Sequence, residues 1–209
     1  MKKRAAFAVD GERVGPDGEE SMKAGASGKK ALVVVDMLND FVRPGAPLEV
    51  PETRTILPAL RRRIAKARRE GELVVYICDA HRVNDPEFAR MGWPPHAVEG
   101  TPGAGVVDSI APEPGDVVVE KRTYSGFHGT PLHFILRRRG IRSLTLAGCV
   151  TNICILFIAA EAGIRGYDVT VDERYVAGLS RKDHAFALDQ MEKVFGVRVL
   201  RRPGKAPRR

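Results

Sequence analysis

The stretch Ala31-Leu-Val-Val-Val-Asp36 contains five consecutive apolar residues followed by an acid. A run without polar interruption is typical of a strand that is covered on both faces, as in a parallel sheet. Residues 73–78 form a second run of this kind. Between the two, residues 54–69 place apolar side chains at helical spacing and stop before Gly71. This order of strand, helix and strand predicts neighbouring parallel strands joined by a helix.

The same alternation continues towards the carboxyl end of the chain. Further strands are predicted at 116–120, 143–147, 168–171 and 197–200, and further helices at 132–139, 154–164 and 183–195. Repeated alternation predicts a three-layer α/β/α Rossmann-like fold with a six-stranded parallel sheet. Residues 79–115 are rich in Pro and Gly and are predicted to form one long irregular loop, and loops of that length are usually functional.

The 209 residues are 44% apolar and 29% charged, which is typical of a globular protein and excludes wholesale disorder. No apolar run approaches the ~18 residues of a membrane helix. The apolar stretch near Met1 is too short for a signal peptide. We therefore expect a cytoplasmic protein that does not enter membranes, with a mobile amino-terminal arm at 1–30, one domain at 31–200 and a basic tail at 201–209.

The formal net charge of +8 first suggests an anionic partner such as a nucleic acid. Its distribution argues against a specific one, because residues 1–30 contribute +2 and residues 201–209 contribute +5. Only +1 remains for residues 31–200, so the predicted domain is nearly neutral. We expect no specific nucleic-acid binding.

Three polar residues of reactive types follow three predicted strands. Asp36 ends the first strand, Lys121 ends the third, and Cys154 opens the helix after the fourth. Ligands of parallel sheets bind outside the carboxyl ends of the strands, where these side chains would meet. A thiol at a helix amino terminus and near a lysine is expected to favour the thiolate, and a carboxylate can remove its proton.

Each of these residues also has a simpler interpretation when it is taken alone. Cys154 could be a small buried apolar residue, Asp36 could cap a turn, and Lys121 could be exposed to solvent. The three cysteines of the chain include no CxxC pair, so reduced thiols are expected rather than a disulfide framework or a four-thiolate zinc site. Asp36, Lys121 and Cys154 nevertheless lie at three strand ends of one sheet, and this joint occurrence favours a shared catalytic role.

The long loop contains a second group of candidate residues, Asp79-Ala-His81 and the later Trp93-Pro-Pro-His96. Two residues that are two apart in extended chain point the same way, and His96 can complete a site of two histidines and one carboxylate. Such a site suits Zn²⁺, Fe²⁺ or Mn²⁺ and leaves positions open for water or substrate. Glu87 is a further candidate ligand. The alternative is that both histidines only make local hydrogen bonds.

Taken together, these motifs resemble the isochorismatase-like cysteine hydrolases, and within them the nicotinamidase/pyrazinamidase branch. The resemblance covers roughly residues 30–200. The segments that carry it are Val35-Asp-Met-Leu-Asn-Asp-Phe41, Asp79-Ala-His81, Trp93-Pro-Pro-His-Ala-Val-Glu-Gly-Thr-Pro-Gly-Ala104, Lys121 with Tyr124-Ser-Gly-Phe127, and Gly148-Cys-Val-Thr-Asn-Ile-Cys154.

The resemblance implies a six-stranded parallel sheet and hydrolysis of nicotinamide to nicotinate and ammonia in a homo-oligomer. It implies that Cys154 is the nucleophile, that Asp36 is the general base and that Lys121 is the third member of the triad. It also implies a divalent metal, most naturally Zn²⁺, on Asp79, His81 and His96, and substrate contacts from Phe41, Trp93 and Tyr124. The backbone features that it implies are an oxyanion hole from the amides of Val150 and Cys154 and a cis peptide bond at Cys149–Val150.

Two features depart from the nicotinamidase pattern. Asn152 stands where nicotinamidases often have an acid, and the connection from Lys121 to Tyr124 lacks an insertion found in many of them. Both features bear on the substrate and not on the chemistry. A carbamoyl or ureido amide, or an isochorismate-type substrate, therefore stays open as an alternative to nicotinamide.

Overall fold

The computed structural model describes residues 28–202, and six strands within them form a single sheet. The strands are β1 Lys29–Val35, β2 Leu73–Asp79, β3 Val117–Lys121, β4 Ile141–Cys149, β5 Asp168–Ala177 and β6 Arg198–Leu200. They pair in the order β3-β2-β1-β4-β5-β6, and every pairing is parallel. The predicted six-stranded parallel sheet is confirmed.

Within the same residues, six α-helices connect and cover the strands. They are α1 Asn39–Val42, α2 Thr53–Arg69, α3 Pro86–Met91, α4 Leu132–Arg138, α5 Leu156–Ile164 and α6 Arg181–Val194. Apolar residues of α4, α5 and α6 form one buried cluster with one face of the sheet. Those of α1 and α2 form a second cluster on the other face. The sheet therefore lies between two helical layers, as predicted. None of the helices in residues 28–202 has the length and apolarity that crossing a membrane requires.

The register of the sheet brings the carboxyl ends of its central strands together. Val35 of β1 lies beside Ile77 of β2 and Gly148 of β4, and Asp79 lies beside Lys121 of β3. In the order β3-β2-β1-β4-β5-β6 the direction of winding reverses between β1 and β4. A crevice opens at such a reversal, and ligands of doubly wound folds bind there.

Gly148 allows this close approach of β1 and β4. Its φ of +111° is in the left-handed region, and a Cβ built on it would lie 2.0 Å from the carbonyl oxygen of Val35. Any side chain would therefore force the two strands apart at the edge where the crevice opens.

Several predicted boundaries differ from the structure. The strand β1 begins at Lys29 and β5 continues to Ala177, because each pairs further along β4 than its apolar run indicates. Most of the predicted arm and tail lie outside the described residues. Within the predicted tail, however, Arg201 hydrogen-bonds to Asp189 and Glu192 on α6, so this part contacts the domain.

The prediction of an irregular loop over 79–115 is wrong in part. This segment contains α3 and two 3₁₀ turns, Pro102–Ala104 and Asp108–Ile110. Asp85 caps α3 by accepting the N–H of Glu87 at 2.9 Å, Pro86 occupies the first turn, and Gly92 ends the helix at a φ of +67°. These are ordinary helix start and stop signals, and the sequence contained them.

Candidate active site

Asp36, Lys121 and Cys154 are buried together at the carboxyl edge of the sheet. The ammonium of Lys121 forms an ion pair with Asp36 at 2.8 Å and lies 3.5 Å from the sulfur of Cys154. It also contacts the carboxylate of Asp79. The Lys121 side chain is fully excluded from solvent. The side chains that the sequence placed at three separate strand ends thus lie in contact around the ammonium group of Lys121.

The position of Asp36 depends on an uncommon backbone conformation. Its φ is +51°, in the left-handed region that few residues other than glycine adopt. The Asp36 N–H donates to the carbonyl of Ile77 at 2.8 Å, and its Oδ1 accepts the N–H of Asp79 at 2.9 Å. These bonds to β2 turn the carboxylate towards Lys121 instead of along β1. Backbone strain of this kind occurs mostly at functional sites.

Cys154 lies in a π-helical turn, Thr151–Ile155, that precedes α5. The expectation that Cys154 opens the α-helix itself is therefore wrong by two residues, because α5 begins at Leu156. The peptide bond Cys149–Val150 before this turn is cis. The Val150 carbonyl accepts the N–H groups of Ile153 at 3.0 Å and Ile155 at 3.3 Å, which lie on either side of Cys154 in the chain.

The expected thiolate does not form in the resting site. Burial raises the pKa of the Cys154 thiol well above its ordinary value, the carboxylates of Asp36 and Asp79 raise it further, and Lys121 acts in the opposite direction. A charge that leaves water and meets two anions is disfavoured more than one cation can compensate. As a nucleophile, Cys154 would therefore start from a neutral thiol and would need a base.

Asp36 has the properties of that base. Burial and the repulsion of Asp79 raise its pKa to about 6, even though Lys121 lowers it. A carboxyl group with a pKa near neutrality can accept and return a proton during a reaction. Burial opposes the charge of Lys121, but Asp36 and Asp79 outweigh it and raise the pKa of this amine well above its ordinary value. Lys121 therefore remains an ammonium group.

A second group of side chains adjoins this centre. Atoms of Asp79, His81 and His96 that could bind a metal all lie within 4.8 Å of one another, and all three residues are buried. Burial opposes ionisation of Asp79, but Lys121 and His81 outweigh it and lower its pKa, so it stays a carboxylate. Burial lowers the pKa of His96, so its ring is neutral. One carboxylate and two imidazoles fit a divalent transition metal.

Neighbouring groups orient both imidazole rings. The Nδ1 of His81 lies 3.1 Å from Asp85, and the Nδ1 of His96 lies 2.8 Å from the carbonyl oxygen of Pro94. Each contact leaves Nε2 free of that partner, as a metal-binding histidine requires. Sequence reasoning missed Asp85, although an acid four residues after a candidate ligand and directly before Pro86 was visible.

Asp40 holds the loop that carries His96, and sequence reasoning missed it too. Its Oδ2 accepts the N–H of Ala97 at 2.8 Å, and Ala97 has a strained φ of +45°. A Cβ on Gly103 would lie 2.2 Å from the same carboxylate, so this loop packs directly against Asp40. No local pattern indicates this contact, because the partners are 57 residues apart.

The predicted substrate residues line one cavity beside Cys154. Phe41, Trp93 and Tyr124 all contribute to its wall, together with Val150 and Cys154. The ring of Trp93 lies 6.1 Å from that of Tyr124, centroid to centroid. A flat, mainly apolar molecule with a polar group at one end would match these walls.

Glu87 also lines this cavity and is buried. Its carboxylate groups with His81 and Asp85 within 4.8 Å, and this group is distinct from the one that contains Asp79 and His96. Burial and the nearby Glu87 raise the pKa of Tyr124 to about 12. The structure therefore brings Glu87 next to the candidate metal group, and its role as a ligand remains a prediction.

Comparison with known proteins identifies the family. Residues 30–201 match the isochorismatase domain. The chain belongs to the isochorismatase family. A relative within this family, an isochorismatase family protein of Bacillus subtilis, is 35% identical over 182 residues, which cover 82% of this chain and 98% of the relative.

Solved structures of the isochorismatase family superpose well on this chain. N-carbamoylsarcosine amidase of Thermoplasma acidophilum is 38% identical, with a TM-score of 0.75 over 86% of this chain and 99% of its own. Pyrazinamidase of Pyrococcus horikoshii, solved in complex with zinc, is 36% identical, with a TM-score of 0.77 over 83% of this chain and 99% of its own. The predicted resemblance is confirmed.

Proposed function

We propose that this chain is a nicotinamidase, which hydrolyses nicotinamide to nicotinate and ammonia through a thioester on Cys154. One observation carries the proposal: a buried thiol, a base and an ammonium group meet beside a candidate metal group in an aromatic-lined cavity. The broader statement is that the chain is an isochorismatase-family hydrolase of amide C–N bonds, which accords with the amidase and pyrazinamidase structures it resembles.

The first half of the reaction forms the thioester. Asp36 accepts the proton of the Cys154 thiol, whose sulfur lies within 4.8 Å of the Asp36 carboxylate. The thiolate attacks the carboxamide carbon, and the amides of Val150 and Cys154 stabilise the developing oxyanion. Asp36 then returns its proton to the amide nitrogen, and ammonia leaves. Covalent catalysis thus divides a difficult hydrolysis into two easier steps.

The second half releases the acid. Asp36 accepts a proton from a water molecule, the resulting hydroxide attacks the thioester, and the sulfur leaves as the thiol after it receives the proton from Asp36. Lys121 keeps its ammonium beside Asp36, Asp79 and the sulfur of Cys154 throughout, so the negative charge stays compensated as the proton moves between Asp36 and the sulfur. A divalent metal on Asp79, His81 and His96 would supply electrostatic attraction for the pyridine nitrogen of the substrate.

An assay of ammonia release from nicotinamide tests the proposal. We expect turnover by the metal-loaded chain and none by Cys154→Ala, with the thermal transition of the variant retained. The matched control is Cys78→Ala, because Cys78 is buried but does not line the cavity of Cys154. Full activity of Cys154→Ala would contradict the assignment of the nucleophile.

A carbamoyl substrate is the second candidate, and the 38% identity to N-carbamoylsarcosine amidase favours it. Asn152 and the short connection from Lys121 to Tyr124 are the sequence features that agree with it. A panel of nicotinamide, N-carbamoyl amino acids and ureido acids separates the two. Ammonia from the carbamoyl compounds and none from nicotinamide would replace the nicotinamidase proposal and keep the same mechanism.

A further inference from the structure

His184 contacts the turn that carries Cys154 and does not line the cavity beside it. It lies in the first turn of α6, and its Nδ1 is 2.9 Å from the hydroxyl of Thr151. Thr151 is fully buried, begins the π-helical turn, and stands between Val150 and Cys154 in the chain. These two residues supply the amides of the proposed oxyanion hole. The hydrogen bond therefore joins α6 to the chain segment between the two amides of that hole.

The imidazole of His184 is itself fixed by its surroundings. Its Nε2 lies 3.8 Å from Glu173, whose other oxygen accepts the N–H of Arg202 at 2.8 Å. A Cβ added at Gly178 would lie 3.1 Å from the Cβ of His184, so the backbone packs closely against this residue. The side chains of His184 and Glu173 are 19% and 12% exposed. Because these contacts restrict the imidazole ring of His184, the ring can hold the hydroxyl of Thr151 in one position.

His184 lines a different depression from the one that contains Cys154. This depression is an open groove between α2 and α6, and it is lined by residues such as Glu52, Arg181 and Arg201. His184 itself is not part of the wall of the cavity beside Cys154. Its hydrogen bond with Thr151 connects it to the turn that carries Cys154.

We propose that His184 is a positioning residue for the oxyanion hole. Through Thr151 it fixes the turn from Val150 to Cys154, so that both amides point to the same place before the substrate arrives. Donors that are already in position stabilise an oxyanion without reorganisation, and small displacements of such groups reduce the rate strongly. The proposal rests on the proposed amide hydrolysis, because only that chemistry develops an oxyanion here.

Kinetics of His184→Ala and Thr151→Val test the proposal. We expect each variant to lower kcat by up to about a hundredfold with KM unchanged, because the transition state loses stabilisation and the ground state does not. The double variant should be no slower than either single variant, since both remove one contact. His184→Asn should restore kcat in part, because its amide can reach the place of Nδ1, and His184→Gln should not.

His133→Ala is the matched control. The Nδ1 of His133 lies 3.0 Å from the hydroxyl of Tyr167, a contact of the same kind that is remote from the cavity. This variant should lose a similar amount of stability and keep its kcat. An equal fall of kcat in His133→Ala and His184→Ala would overturn the proposal, as would an unchanged kcat in His184→Ala. If His184→Ala does not fold, Thr151→Val and Thr151→Ser decide the question in the same way.

Two further measurements separate this proposal from the proposed function. Alkylation of Cys154 by iodoacetamide needs no oxyanion hole, so its rate should be the same in His184→Ala and the unmodified chain. Binding of pyridine-3-carboxaldehyde should weaken in that variant. The sulfur of Cys154 adds to the aldehyde carbon while Asp36 accepts the thiol proton, and the carbonyl oxygen becomes an oxyanion. A parallel loss of alkylation would show general damage and overturn the positioning role. If the unmodified chain releases ammonia from no amide, the proposed function fails instead.

Discussion

Replacing Lys121 by methionine would leave two carboxylates buried without their cation. Asp36 lies 2.8 Å from the lysine nitrogen, and Asp79 contacts the same nitrogen. The side chains of Asp36 and Asp79 are only 2% and 9% exposed. Water therefore cannot replace the missing charge. Methionine has a similar length and introduces no clash, so the electrostatic change dominates.

The expected cost is about 3–5 kcal/mol in the free energy of unfolding, the usual result of removing one partner from a buried ion pair. In a chain of this size, 1 kcal/mol corresponds to about 2–4 °C in Tm. The loss should be large at pH 7.5 and should shrink as the pH falls. Without the ammonium, the pKa of Asp36 rises beyond about 6. Ionisation then destabilises the fold above that pH and ceases to do so below the ordinary value of about 3.9.

Urea unfolding of metal-free protein at pH 7.5 and pH 5 measures this effect. Lys193→Met is the control, because Lys193 pairs with Asp189 at 3.3 Å with 68% of its side chain exposed, and such pairs contribute about 0–1 kcal/mol. Adding Asp36→Asn to Lys121→Met should recover part of the stability but no activity. A Lys121→Met variant that is no less stable than Lys193→Met at pH 7.5 would refute the account of the buried charges.

Two more predictions concern the metal group and the carboxyl end. His96→Ala should abolish metal binding, as measured by elemental analysis. Asp85→Asn should weaken metal affinity by about 10–100-fold, because it removes the partner that orients His81. Unchanged metal content in both variants would exclude this ligand set. Truncation after Arg202 should leave kcat/KM unchanged, because the contacts of Arg201 and Arg202 with the domain are kept; a loss of activity would give the basic end a role that the charge distribution does not predict.

The sequence specified most of the strands and helices. Apolar runs at 31–35 and 73–78 correspond to β1 and β2 because strands buried on both faces need apolar side chains in every position. The exceptions are boundaries, such as the extension of β5 to Ala177, where pairing with β4 and not apolarity sets the end of the strand. The helix α3 was missed because the composition of its loop hid clear signals at Asp85 and Gly92.

The candidate site was predictable to the extent that residue type and strand position define it. Asp36, Lys121 and Cys154 were singled out because they follow three strands of one parallel sheet, and ligands of such sheets bind outside the carboxyl ends of the strands. The protonation state of Cys154 was predicted wrongly. The expectation of a thiolate rested on the nearby helix end and lysine. It took no account of the burial of the sulfur or of the nearby Asp79 carboxylate, both of which raise the pKa of the thiol.

The order of strands and helices, the nearly neutral domain and the reactive residue types are written in the chain, because they depend on neighbours along it. Which side chains contact one another depends on the tertiary structure. The contacts of Asp40 with Ala97 and of His184 with Thr151 join residues 57 and 33 positions apart. Distances of this kind, and the loss of water that shifts a pKa, arise only when the layers pack together. The physical reason is that electrostatic interactions depend on separation in space and on solvent, and a linear sequence specifies neither.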